Sequence, residues 1–271
     1  MPTPLPVSVS SVLASPVERQ HHNLWHLARL NLSPQQRAQL GPEWNAPRLQ
    51  GQSGSGVDFL QMHRLMIAHV NSLLTKAGDA NYPAVSGWTE IPWDHNDPEW
   101  PMPPAFPGDS PNETAVIQLC KGQAQTDQMR NLVAMRLRNP EWLRNVSLDR
   151  LGIVIEGGIH GWMHIHWSAR PWYTRAQGQD ENDIRNDYLG RPSSSHVNVV
   201  FWKLHGWIDD TIGHWETAGD RVATLSDVWT GPSHGGGHMH GMAPDGPPAS
   251  IHLSPQLRQI ADTAFFKSVA R

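Results

Sequence analysis

"IEGGIHGWMHIHW", residues 155 to 167, sets three histidines and two tryptophans among apolar residues and glycines. His160 and His164 stand four apart, so on a helix their side chains stack on one face and reach one ion together. His166 lies two residues further on and falls on another side, which assigns it to packing. The chain has 16 histidines, and three pairs have this spacing: His22/His26, His160/His164 and His234/His238. About one such pair is expected from composition alone. Spacing by itself therefore leaves ordinary hydrogen-bonded histidines as an equal reading, and the neighbours have to decide.

Working outward, the pattern is helical. "VNVVFWKLHGWIDDTIGHWE" (197–216) reads as a helix with His205 and Asp209 one turn apart. "NETAVIQLCKGQAQTDQMRNLVAMRL" (112–137) precedes the opening stretch and is also helical in pattern. "VDFLQMHRLMIAHVNSLLTKAG" (57–78) is amphipathic and closes on Gly78. In "SPVERQHHNLWHLARL" (15–30), Ser15 is placed to cap and Pro16 to occupy the first helical position. Residues 82–111 hold eight prolines and three tryptophans, which rules out a regular element and predicts an ordered wrapping loop. Residues 231–248 form a loop rich in Gly, His and Pro, and residues 1–11 read as a flexible arm. The expectation is a mainly α-helical single domain over 12–271, built on an antiparallel four-helix bundle with long loops.

Composition narrows the function. Lys and Arg number 21 against 25 Asp and Glu, a net charge of −4, so neither nucleic acid nor an anionic membrane is an expected partner. Cys120 is the single cysteine, which excludes a disulfide framework and a thiolate metal cluster. Any metal must be held by imidazoles and carboxylates. The chain carries neither a leader-like start nor a run of about 18 apolar residues, so a soluble, cytoplasmic protein is expected.

"IEGGIHGWMHIHW" followed by "VVFWKLHGWIDDTIGHW" resembles the second copper site of the tyrosinase, catechol oxidase and haemocyanin superfamily. The matched positions are Glu156, His160, His164, Phe201, Trp202, His205, Asp209 and Trp215. "FLQMHRLMI" is similar to that family's first-site segment, with His63 as a ligand and Arg64 beside it. "IPWDHND" is similar to the aromatic stretch that follows it in relatives. The resemblance spans residues 12–217.

It departs from the family pattern at several points. Asn198-Val199 replace an Asp-Pro, Met62 replaces a Trp, and Asn71 stands where a Glu is usual. Gly54 and Ser55 occupy the positions of a further ligand histidine. The first site must therefore recruit His22 and His26 from the N-terminal helix, or remain incomplete.

The resemblance implies a type 3 copper pair that binds O2. His160, His164 and His205 would hold one ion, and His63, His22 and His26 the other. Two copper ions per chain are expected, or one if the first site is incomplete. Asp209 would anchor a helix or a ligand, Glu156 would order a water for proton transfer, and Trp162 and Trp207 are candidates to line the pocket. Relatives that hydroxylate monophenols carry an Asn directly after the first second-site His, where this chain has Gly161. The implied substrates are therefore o-diphenols or o-aminophenols, small aromatic molecules oxidised by O2 to quinones or quinone-imines. A copper-delivery protein is a candidate partner.

Three other readings stand beside this one: a mononuclear copper enzyme, a non-catalytic haemocyanin-like O2 or copper carrier, and zinc or iron in a three-histidine site. His69 and His214 are expected to be structural. His234, His238 and His240, with Met239 and Met242, form a flexible loop or a transient copper station.

Overall fold

A computed structural model describes residues 3–173, 178–225, 228–232, 251 and 253–269. The chain is mainly helical, with no strand among the described residues. The helices, in order, are α1 (Val7–Leu13), α2 (Pro16–Ala28), α3 (Pro34–Ala38), α4 (Ser55–Ala77), α5 (Pro111–Cys120), α6 (Gln123–Leu132), α7 (Pro140–Asn145) and α8 (Leu148–Val154). They continue with α9 (Gly161–His166), α10 (Pro192–Ser195), α11 (Val199–Gly219), α12 (Pro255–Asp262) and α13 (Ala264–Val269). None is long and apolar enough to cross a membrane.

Local chemistry sets the ends of the helices that carry the histidines. The Ser15 hydroxyl accepts from Glu18 N at the start of α2, with Pro16 first in the helix. Gly78 closes α4 at φ +65°, a conformation that a side chain would strain. Asn198 caps α11 by accepting from Val200 N, and its amide donates to Asp187 O, which fixes the helix start.

Three expectations need correction. The N-terminal arm is helical from Val7, because Leu5, Val9 and Leu13 bury against the core. The long helix over 112–137 breaks at Lys121-Gly122 and ends in a π-helical turn, Val133–Leu137. The opening stretch is also not one regular helix: a π-helical segment, Ile155–His160, separates α8 from α9. Such widened turns recur at functional sites because they shift the phase of the side chains that follow.

The Pro-rich loop over 82–111 has no regular element but for the start of α5, and it buries Trp88 and Trp100. Trp25, Trp162, Trp202, Trp207, Phe59 and Phe201 are among the largest fully buried side chains. Helices α4 and α8 cross almost backbone to backbone: a Cβ at Gly152 would lie 2.2 Å from Gly56 O, and one at Gly56 would lie 2.0 Å from Asp149 O. The Asp149 carboxylate also accepts from Gly54 N and Gly56 N, 2.9 Å each, tying the start of α4 to α8. This crossing sets the helix that carries His63 against the one that leads into Glu156 and His160. Gly152→Ala is expected to push the two apart at a cost of about 1–3 kcal/mol or more, as overpacking does. A thermal melt should show a Tm lower by several degrees, and an unchanged Tm would remove this crossing from the account of the site.

Candidate metal centre

Five helical segments deliver six histidines to one buried place: His22 and His26 from α2, His63 from α4, His160 from the π-helical segment, His164 from α9, and His205 from α11. The Nε2 atoms of His22 and His26 lie 3.2 Å apart. His160 Nε2 lies 3.1 Å from His164 Nε2 and 3.2 Å from His205 Nε2. The ligand atoms of His22, His26 and His63 all fall within 4.8 Å of one another, and so do those of His63, His160 and His205. His63 joins the two groups, its ring stacked on His205 with centroids 4.3 Å apart.

The opposite ring nitrogens explain why these atoms face inward. His63 Nδ1 lies 2.8 Å from Phe59 O and His205 Nδ1 2.8 Å from Phe201 O, each a carbonyl one turn back in its own helix. His164 Nδ1 lies 2.8 Å from Leu189 O. A carbonyl only accepts, so each Nδ1 carries the hydrogen and each Nε2 is left with a lone pair, the form in which imidazole binds a metal. His63 Nε2 is buried with no hydrogen-bond partner among the described residues, which leaves it open to a water or an ion. An all-imidazole set of this kind suits copper or zinc.

Burial also keeps the rings neutral. His63 and His164 are pushed down to about 3, chiefly by desolvation. His22, His26, His160 and His205 are held well below the ordinary histidine value by desolvation and then by their neighbours in the cluster. At neutral pH no proton competes for the lone pairs.

Beside the cluster lies a buried ion pair. Arg29 grips both Glu156 oxygens, at 2.5 and 2.9 Å, and donates to Ser55 O at 2.7 Å. The pair lines a cavity of about 10 Å³ with His26, His160 and Phe265, the room of roughly one water. Phe265, on α13, covers the cluster: its ring stacks on His164 with centroids 3.9 Å apart and meets His26 and His160 edge-on at 5.1 and 5.4 Å.

The remaining sequence-derived candidates lie elsewhere. Asp209 accepts from Arg64 Nε at 2.7 Å, an ion pair on the half-exposed side of α4 and α11 that joins those helices and touches no ligand histidine. Trp162 donates to Cys120 O and packs on Trp93 and His166, away from the cluster. Trp207 lies under Arg138. As pocket-lining residues both are corrected: each extends to the side of its helix opposite the ligands.

His166 contacts Cys120 O, His69 pairs with Glu18, and His214 pairs with Asp210. The loop histidines His234, His238 and His240 lie outside the described residues. Sequence reasoning missed Arg29 and Phe265. Arg29 was legible, since it follows His22 by seven residues and His26 by three on one helical face. Phe265 follows a Gly- and Pro-rich stretch and carries no local signal.

A scan against protein-family models finds no match for this chain, and no curated protein matches it.

Proposed function

We propose that the chain is a tyrosinase-like type 3 copper oxidoreductase that uses O2 to oxidise o-diphenols or o-aminophenols to quinones or quinone-imines. One observation carries this reading: six buried neutral imidazoles turn their Nε2 atoms toward a common centre without any carboxylate among them. A copper pair, when bound, supplies the electron transfer that O2 reduction requires. His160, His164 and His205 would hold one ion, and His22, His26 and His63 the other. Each diphenol gives up two electrons and two protons, so one O2 accepts from two substrates and leaves as two waters.

The Arg29–Glu156 pair supports a substrate that is already activated. Both Glu156 oxygens are engaged by Arg29, so the carboxylate is poorly placed to take a phenol proton. Glu156 then serves mainly to hold α2 against the segment carrying His160. The single buried Cys120 fits a reducing compartment, and we place the activity in the cytoplasm.

A second reading, an O2 or copper carrier, is favoured by Phe265, because the cavity of about 10 Å³ beside it is too small for an aromatic ring. Phe265→Ala separates the two readings. The substitution costs about 3–5 kcal/mol of stability, and in an enzyme it raises kcat/KM for a bulky catechol more than for catechol itself. In a carrier it changes O2 binding and leaves turnover at zero.

The primary test is metal content by elemental analysis, with an absorption spectrum taken as O2 is added to the reduced, copper-loaded chain. Two copper ions, an O2-dependent near-ultraviolet band and catechol oxidation are expected. Fewer than two copper ions at saturation would overturn the dicopper reading.

A further inference from the structure

A seventh histidine is built into the centre. His196 sits between the end of α10 and Asn198, the cap of α11, and is fully buried. Its Nε2 lies 2.9 Å from Leu13 O, at the last turn of α1, and its Nδ1 lies 3.3 Å from His22 Nδ1. Two carbonyls meet the ring, Leu13 O at Nε2 and Pro192 O four residues back in the chain; the 2.9 Å contact with Leu13 O assigns the hydrogen to Nε2. In the neutral ring Nδ1 is then an acceptor, and two facing lone pairs at 3.3 Å would repel. The hydrogen between the rings must therefore belong to His22 Nδ1, which leaves His22 Nε2 bare on the side facing His26 and His63.

We propose that His196 is a positioning residue for the first metal site: it accepts the His22 Nδ1 hydrogen and so fixes the tautomer and orientation in which His22 Nε2 can bind the ion. His63, His164 and His205 obtain the same service from backbone carbonyls. Among the described residues no carbonyl is so placed for His22, and a side chain from 174 residues away takes that role. The metal arm of this inference rests on the dicopper reading, whereas the tautomer itself does not.

Two near-isosteric variants divide the role. The shorter carboxamide introduced by His196→Asn sits where Nδ1 was and can still accept from His22; the longer one introduced by His196→Gln reaches the Nε2 position and keeps only the bond to Leu13 O. Long-range proton–nitrogen correlation spectra of the metal-free full chain are expected to find His22 protonated at Nδ1 in the parent and in His196→Asn, and shifted toward Nε2–H in His196→Gln. Copper titration against a competing chelator should then show one of two sites weakened by about 10–100-fold in His196→Gln, the usual effect of losing such a partner, and largely restored in His196→Asn, with the other site unmoved.

His22 protonated at Nε2 in the parent chain would overturn the proposal, and that measurement needs no variant to fold. Equal weakening in the two variants, or of both sites together, would also overturn it by making His196 merely structural. A parent chain that binds fewer than two copper ions defeats the dicopper reading instead and leaves the spectroscopic result standing.

Discussion

Stripped of metal, the chain will unfold cooperatively as the pH falls through the range of about 6 to 5, well above the usual acid limit of a carboxylate-stabilised domain. Eight buried imidazoles are responsible. His63, His164 and His166 are pushed down to about 3 and His196 to about 4, while His22, His26, His160 and His205 lie well below the ordinary value, all with desolvation as the largest cause.

The unfolded chain takes up protons near pH 6.5, whereas the folded chain does so only far below. Stability is therefore full above about 6.5 and drains away as the pH drops toward the folded values. At about pH 5.5 an unfolded histidine is mostly protonated while these buried rings stay neutral, so each of them favours the unfolded state and the eight together oppose the folding of a marginally stable domain. On the proposed dicopper reading, copper will stabilise the folded state and shift the transition to lower pH, with a steep dependence because protons and metal compete for the same nitrogens. Far-ultraviolet circular dichroism and tryptophan fluorescence against pH will measure it. A metal-free midpoint below about pH 4 would mean that the rings are not buried as neutral bases.

On the proposed dicopper reading, His63→Ala will lower copper from two ions per chain to one, abolish the O2-dependent absorption and reduce catechol turnover by more than the roughly 10–100-fold that loss of an outer partner costs. The reason is position. His63 is the member common to both groups of converging nitrogens, and its Nε2 has no other buried partner among the described residues. Truncation also leaves a cavity beside Phe59 and His205, whose rings lie 4.5 and 4.3 Å away, so a thermal melt must accompany the assay. His214→Ala is the comparison: half-exposed and paired with Asp210, it should alter neither copper content nor turnover. Two copper ions retained in folded His63→Ala would sink the first-site assignment, and so would copper content unmoved by both His22→Ala and His26→Ala.

How much of the fold and the centre is legible in the sequence depends on the distance over which each interaction acts. Helical phase divides His160 and His164 from His166 correctly, because four residues make about one turn whatever lies around them. The capping of α2 by Ser15 and the closure of α4 by Gly78 follow from side-chain and backbone chemistry within a few residues. Asp209 was readable as an anchor, although only the packing of α4 against α11 identified Arg64 as its partner. The Ile155–His160 π-helical segment was not readable, since widening a turn is decided by what packs against it.

The amino-acid sequence by itself determined that the chain is mainly helical, that any metal must rest on imidazoles and carboxylates and not on thiolates, and which histidines share a helical face; these are matters of composition and of periodicity within a turn or two. The tertiary structure alone decided that α2 contributes two histidines where Gly54 and Ser55 offer none, that Arg29 engages Glu156, that Phe265 covers the cluster, and that His196 turns His22 toward its partners. Arg29 and Glu156 stand 127 positions apart and His22 and His196 174, and they meet across helices whose close approach rests on contacts such as Gly56 with Gly152. Such pairings follow from how helices pack, and side-chain periodicity along a single helix carries no record of its neighbour.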